Sequence, residues 1–75
     1  MDTSEIDKNI DQSFVTVESG MIYKSVINDI EKLLIQKALK RTHGNQILAA
    51  RILGLNRNTI RSKIRKLHIN TENFK

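Results

Sequence analysis

Side chains that can hydrogen-bond to nucleic acids are concentrated between residues 56 and 66, where the sequence reads NRNTIRSKIRK. Arginine can pair in a bidentate manner with guanine and asparagine with adenine, while threonine and serine can contact bases or phosphates. Five of these residues are cationic, so the segment also suits a phosphate backbone. The composition favours contact with double-stranded DNA, and a solvated basic helix surface is the alternative interpretation.

Patterns for catalysis or metal binding are missing from the sequence. It has no cysteine, no glycine-rich phosphate loop and no Ser/His/Asp constellation, and His43 and His68 are too few for a structural zinc site. We place both histidines near helix ends, where a partly charged imidazole is favourable. The sequence therefore predicts no metal, no cofactor and no enzyme, and any ATPase activity would belong to a domain outside this chain.

The charge of the chain is distributed unevenly along its length. Residues 1–19 contain one lysine and five acidic residues, for a net charge of −4, whereas residues 44–75 contain seven basic residues and one acidic residue, for a net charge of +6. Such asymmetry indicates a polyanionic partner. No apolar run is long enough to cross a membrane, so we expect no membrane partner and a cytoplasmic, nucleoid-associated location.

Two short helices separated by a tight turn are predicted around the basic segment. Asn45 can cap a helix over residues 46 to about 53, and Asn56 can cap a second helix over residues 57–67. Gly54 suits the turn between them, where a positive φ is easy for glycine. The order of these elements predicts a helix-turn-helix motif.

Apolar spacing assigns a buried edge to the second helix. Ile60, Ile64 and Leu67 recur at helical spacing, and the small Ala49-Ala50 pair lets the first helix cross closely. The N-terminal part of such a recognition helix usually meets base edges in the major groove. Arg57 and Lys63 lie nearer the core boundary, where their long side chains can reach out to phosphates. The predicted DNA contacts on this helix are Asn56, Arg57, Asn58, Thr59, Arg61, Ser62, Lys63, Arg65 and Lys66.

A long helix is predicted over residues 21–42, upstream of the motif. Its apolar positions recur at helical spacing, but they form a stripe too wide for one short two-helix unit to cover. We expect part of this stripe to face a second copy of the chain, and a mobile N-terminal segment is the alternative cover. Gly44 is predicted to supply the left-handed residue that ends the helix. The predicted dimer contacts are Ile22, Tyr23, Val26, Ile27, Ile30 and Leu34.

The first nineteen residues allow two interpretations. Ile6, Ile10 and Phe14 are spaced as on one side of a helix, whereas the polar and acidic composition also fits a linker. Residues 15–17 favour extended backbone by propensity, although they are too few to form a sheet alone.

These predictions combine into an all-α fold class. A long dimerisation helix followed by a helix-turn-helix occupies residues 20–69. Residues 1–19 form an acidic linker or a short extra N-terminal helix, and residues 70–75 form a flexible tail.

The spacing of these residues resembles the Fis family of bacterial DNA-binding domains. The family pattern follows the end of a long helix, and the resemblance covers residues 22–69. The motifs that carry it are Gly44-Asn45-Gln46, Ala49-Ala50, Leu53-Gly54, Arg57-Asn58-Thr59-Ile60-Arg61 and Lys63-Ile64-Arg65-Lys66-Leu67.

The resemblance implies a homodimer built on the long helices, with the recognition helices entering successive major grooves of a pseudo-palindromic site. By motif position it adds Asn45 to the predicted DNA contacts. The family includes the DNA-binding domains of NtrC-type activators, which contact sigma-54 RNA polymerase through a separate ATPase domain. This kind of member is favoured by Arg57-Asn58-Thr59, by the segment Glu31-Lys32-Leu33-Leu34-Ile35, and by Ser62 and Ile47. The alternatives are a free-standing nucleoid protein that bends DNA and a helical module that binds an acidic protein.

Overall fold

The computed structural model describes residues 3–75, and these residues form four α-helices and one short 3-10 helix without any strand. This arrangement confirms the all-α fold class. None of these helices is both long enough and apolar enough to cross a membrane. The helices are α1 (Ser4–Thr16), α2 (Ile22–Arg41), α3 (Gln46–Leu53) and α4 (Arg57–Lys66), and the 3-10 helix spans Thr71–Phe74.

The chain divides into two compact units, residues 1–30 and residues 31–75. In the first unit, α1 has no buried residue, and Phe14 and Val15 are among its most exposed apolar side chains. The prediction of extended backbone at residues 15–17 was wrong for its first two residues, because α1 continues through Thr16. The Thr16 hydroxyl donates to the carbonyl of Gln12, so it is satisfied within the helix.

The second unit contains the buried core of the described residues. Leu39 and Ala49 are fully buried, as is Ile60, and these three residues come from α2, α3 and α4 respectively. The small alanines of α3 leave room for close helix packing, as the sequence predicted. The complete set of buried apolar residues is Ile35, Ala38, Leu39, Ala49, Ala50, Ile60, Ile64, Leu67 and Ile69.

The ends of α2, α3 and α4 share one backbone pattern. A left-handed residue follows each helix, and the next N–H donates to the carbonyl five residues earlier, which is the Schellman motif. The left-handed residues are His43 (φ 53°), Gly54 (φ 75°) and His68 (φ 56°). The closing bonds run from Gly44 to Leu39 (2.9 Å), from Leu55 to Ala50 (2.8 Å) and from Ile69 to Ile64 (3.0 Å).

The sequence prediction for the end of α2 needs a correction. Gly44 does have a positive φ of 83°, but His43 before it is already left-handed and completes the helix end. Histidine tolerates this conformation better than most residues do, though less readily than glycine. The end of α2 is also tied to α3, because the buried Thr42 hydroxyl lies 3.1 Å from the carbonyl oxygen of Asn45.

Residues 70–75, predicted as a flexible tail, contain regular structure. Asn70 caps the 3-10 helix, since its side chain accepts a hydrogen bond of 3.0 Å from the N–H of Glu72. Phe74 is partly buried against the core of the second unit. This contact was not predicted from the sequence, because the residues around Phe74 are polar.

Candidate nucleic-acid interface

The orientation of α4 is set by its buried edge. Ile60 is fully buried and Ile64 is 8% exposed, so the opposite side of the helix is left to solvent. Asn56 begins the helix, and its side-chain oxygen accepts a hydrogen bond of 2.8 Å from the N–H of Asn58. The cap and the apolar spacing together determine which polar side chains point outward.

Nearly all of the predicted contact residues are exposed. Of the ten residues that the sequence assigned to DNA binding, only Lys63 is partly buried. The exposed residues are Asn45, Asn56, Arg57, Asn58, Thr59, Arg61, Ser62, Arg65 and Lys66. The structure thus brings most of the predicted side chains to the surface of one unit, where they are accessible to a ligand.

One flank of α4 borders a cleft of about 430 Å³, which we call the arginine cleft. Arg57 and Arg61 come one helical turn apart on α4, and Asn45 comes from the start of α3. These three residues therefore line one cleft, and their contact with DNA stays a prediction. The arginine cleft is lined by Gly44, Asn45, Gln46, Ile47, Arg57, Arg61, Thr71, Glu72 and Lys75.

The other flank of α4 borders a shallow groove of about 370 Å³, which we call the asparagine groove. Its lining is polar and cationic, and it contains no carboxylate. The asparagine groove is lined by Asn58, Thr59, Ser62, Lys63 and Lys66. Arg65 lies in a third depression together with Arg61, Gln46 and His68.

Asn45 and Asn56 each cap a helix and can also donate a hydrogen bond to a ligand. The Asn45 side-chain oxygen accepts a hydrogen bond of 3.1 Å from the N–H of Leu48, as the Asn56 oxygen does from Asn58. The oxygen of each amide is therefore occupied by its own helix, whereas the NH₂ group can still donate to a phosphate oxygen. The amides at the start of α3 also favour an anion.

Lys63 differs from the other cations of α4. Its Nζ lies 2.9 Å from Oε2 of Glu31 on α2, and the two side chains are 31% and 29% exposed. Sequence reasoning missed this pair because the two residues are 32 positions apart. Lys63 comes directly before the buried Ile64 and three residues after the buried Ile60, which was the available signal, but this position did not identify the partner.

Sequence reasoning also missed the C-terminal residues that line the arginine cleft. Thr71, Glu72 and Lys75 reach it because the Ile69–Ile64 bond turns the chain back after α4. Lys75 forms an exposed ion pair of 3.0 Å with Glu72. The Asn-Thr-Glu order at residues 70–72 was a capping signal that could have revealed the turn.

The predicted dimer residues differ in exposure. Tyr23 is 80% exposed, and Ile30 and Leu34 are about half exposed, at 45% and 52%. Ile22, Val26 and Ile27 are partly buried. No group of three or more His, Cys, Asp or Glu side chains suited to a metal ion occurs among residues 3–75.

Comparison with known proteins identifies the family of this helix-turn-helix. Residues 26–67 match the family model described as "Bacterial regulatory protein, Fis family", which is more than half of the chain. The chain belongs to the Fis family. It is therefore a helix-turn-helix domain of the DNA-binding class that occurs in bacterial transcription regulators.

Three curated relatives carry the name DNA-binding transcriptional regulator NtrC. The protein of Azospirillum brasilense is 41% identical over an alignment of 71 residues, which covers 89% of this chain and 15% of that protein. The Rhizobium meliloti (strain 1021) protein is 43% identical over an alignment of 68 residues, which covers 85% of this chain and 14% of that protein. The protein of Bradyrhizobium sp. (strain RP501 Parasponia) is 54% identical over 48 residues, 64% of this chain and 10% of its own length.

These relatives are several times longer than the matched region, so the chain spans about one seventh of the first two. No solved structure matched the chain.

Proposed function

We propose that this chain binds a pseudo-palindromic DNA site as a homodimer and serves as the DNA-binding domain of a sigma-54-dependent transcriptional activator. The observation that carries the proposal is the exposed polar and cationic face of α4, held outward by the buried Ile60 and Ile64. Its family membership makes DNA the partner that fits this face. Binding of this kind places the protein at the bacterial nucleoid.

Base recognition is assigned to the first two turns of α4. Arg57, Asn58 and Arg61 are exposed and can form bidentate hydrogen bonds with purine edges in the major groove. Thr59 and Ser62 are short enough for contacts close to the helix axis. Phosphate binding is assigned to Arg65, Lys66 and the amides and NH₂ group at the start of α3.

Dimerisation is assigned to the exposed apolar residues of α2. A monomeric protein rarely leaves many large apolar side chains together in solvent, and such a patch usually marks an interface. In the second unit, Leu33 and Leu34 supply such apolar positions (55% and 52% exposed), and in the first unit Tyr23 and Ile30 do so (80% and 45% exposed). A twofold axis through α2 would repeat α4 on both sides, as a pseudo-palindromic site requires.

The activator role draws on the NtrC relatives and on one local feature. Ile47 is 53% exposed in the arginine cleft, beside the start of α3. An apolar side chain there offers nothing to a phosphate, so it limits sequence-independent binding. A dedicated regulator needs such a limit more than a nucleoid protein that coats and bends DNA. The ATPase activity of such an activator belongs to other parts of the full-length protein.

Gel-shift assays with selected and random duplexes test the DNA assignment. Arg57→Ala should weaken binding to the selected site roughly 5- to 150-fold, because a bidentate base contact is worth about 1–3 kcal/mol. The matched control is Arg51→Ala, which removes an exposed arginine from the last turn of α3. Arg51 lines neither the arginine cleft nor the asparagine groove. Unchanged affinity of the Arg57 variant, with the fold intact by circular dichroism, would contradict its role in base recognition.

Sedimentation of the chain at high micromolar concentration tests the dimer. We expect a dimer, and Ile30→Glu should convert it to monomers that still bind a half-site weakly. The matched control is Ile52→Glu, at a similarly exposed position on α3. A wild-type monomer under these conditions would refute the assignment of α2.

A reporter assay tests the activator role. The selected site is placed upstream of a sigma-54-dependent promoter, and the full-length regulator is supplied in cells with and without sigma-54. Activation that needs both the site and sigma-54 is expected. Strong bending of random DNA without any activation would favour the nucleoid protein instead.

A further inference from the structure

The ion pair between Glu31 and Lys63 is unlike the other polar contacts of the second unit. Two ion pairs are present among residues 3–75, and this is the one that joins two helices, α2 and α4. The distance of 2.9 Å is that of a charge-assisted hydrogen bond. Both side chains are about one-third exposed, so water screens the pair less than it would a fully exposed one.

Lys63 lies on the surface that faces DNA in the proposed complex. It lines the asparagine groove together with Thr59, one turn before it, and Lys66, one turn after it. Arg57, Arg61, Arg65 and Lys66 have no ion pair within residues 3–75, so their charges are available to phosphates. The charge of Lys63 is instead neutralised within the domain.

We propose that Glu31 withholds Lys63 from DNA phosphates and so lowers the sequence-independent affinity of the domain. This inference rests on the proposed DNA binding by α4. A phosphate that recruited Lys63 would leave the Glu31 carboxylate unpaired beside the polyanion. The gain from the new contact is offset by the loss of this partly screened pair and by repulsion between the carboxylate and the phosphates. Lys63 therefore stays with Glu31 when α4 lies on DNA.

The number of phosphates that a domain engages can be counted from the salt dependence of its affinity. The slope of log K against log salt changes by about 0.9 for each phosphate contact with duplex DNA. A loss of stability alone changes the affinity but not this slope. The slope therefore distinguishes a withheld lysine from a merely structural ion pair.

The experiment measures this slope for the 75-residue chain with a random-sequence duplex. Glu31→Gln keeps the shape of the side chain and releases Lys63 in both subunits of the proposed dimer, so the slope should become steeper by about 1.8. Between 50 and 200 mM salt this variant should lose about 12-fold more affinity than the wild type. Lys63→Ala should lower the affinity, because it leaves the Glu31 carboxylate unpaired near the DNA, but it should leave the slope unchanged because no phosphate contact is lost. The double variant should return to the wild-type slope.

Asp29→Asn is the matched control. It removes the same charge from an exposed position two residues earlier in α2, and its slope should match that of the wild type. A slope that steepens equally in this variant would show a general charge effect and overturn the inference.

Two further results would also overturn it. One is a Lys63→Ala slope flatter by about 1.8, because Lys63 of both subunits would then contact DNA in the wild type. The other is a Glu31→Gln slope equal to that of the wild type. Absence of duplex binding by every variant, wild type included, would overturn the proposed function itself, and the inference with it.

Discussion

The corner between α2 and α3 can be tested by comparing two glycines. Gly44 and Gly54 both have a positive φ, 83° and 75°, but their surroundings differ. A Cβ at Gly44 would lie 3.0 Å from Cγ of Lys75 and 3.1 Å from the carbonyl oxygen of Thr71. A Cβ at Gly54 would have no neighbour within 4 Å. Comparing the single variants Gly44→Ala and Gly54→Ala therefore separates the free-energy cost of a left-handed alanine backbone from the cost of packing its Cβ.

The expected losses follow from these distances. In both variants a left-handed backbone at alanine lowers the free energy of unfolding by about 1–2 kcal/mol. About 0.4–1 kcal/mol of this loss is recovered, because alanine restricts the unfolded chain more than glycine does. Gly54→Ala should therefore lose about 1 kcal/mol. Gly44→Ala should lose about 1–2 kcal/mol more, because the Thr71 carbonyl belongs to the backbone and cannot move away as easily as the Lys75 stem. At about 4–8 °C per kcal/mol, the two Tm values should differ by about 4–16 °C.

Urea unfolding followed by circular dichroism measures both losses. The same two substitutions are then repeated in a chain that ends at Asn70 and so lacks the 3-10 helix. We expect the difference between the glycines to disappear there, because the close neighbours of Gly44 have been removed. Equal losses in the full chain would refute the packing of the C-terminal turn against Gly44. A difference that persisted after truncation would show that another contact causes it.

Three further substitutions test the core and the helix ends. Ile60→Ala should lower the free energy of unfolding by about 2–5 kcal/mol, because Ile60 is fully buried. The matched Ile52→Ala, at a 53% exposed position, should lower it by less than about 1 kcal/mol, and similar losses in the two variants would contradict the assigned core. Asn56→Ala should lose about 1 kcal/mol in the same assay through the capping bond to Asn58, and Asn56→Asp should retain the stability; a loss in both would point away from capping. Thr42→Val should lose about 1 kcal/mol by removing the hydroxyl bond to Asn45, with Thr42→Ser as the control that keeps it.

Local signals predicted the helix-turn-helix well. Asn45 and Asn56 cap α3 and α4 at the predicted residues, because a capping bond involves neighbours only two or three positions away. The predicted long helix over residues 21–42 agrees with α2 within one residue at each end. Gly54 has the left-handed backbone that its position in the turn required. Each of these features depends on short-range geometry that the sequence displays directly.

Features that depend on the folded chain were harder to predict. The Glu31–Lys63 pair joins residues that only the packing of α4 brings together, and no spacing rule marks them. His43 and His68 adopt left-handed backbone because the helices before them end there, which their residue type alone does not demand. The return of the C-terminal turn towards Gly44 depends on how the chain leaves α4. These contacts could not be assigned without the tertiary structure.

The exposed side chains of Asn58 and Ser62 have a consequence for how such a protein changes over generations. Neither side chain takes part in a hydrogen bond or ion pair among residues 3–75, and neither belongs to the core. Substitutions at such positions usually alter stability by less than about 0.5 kcal/mol. Under the proposed function, one or two substitutions at these positions would change the recognised DNA sequence while the domain remains folded throughout.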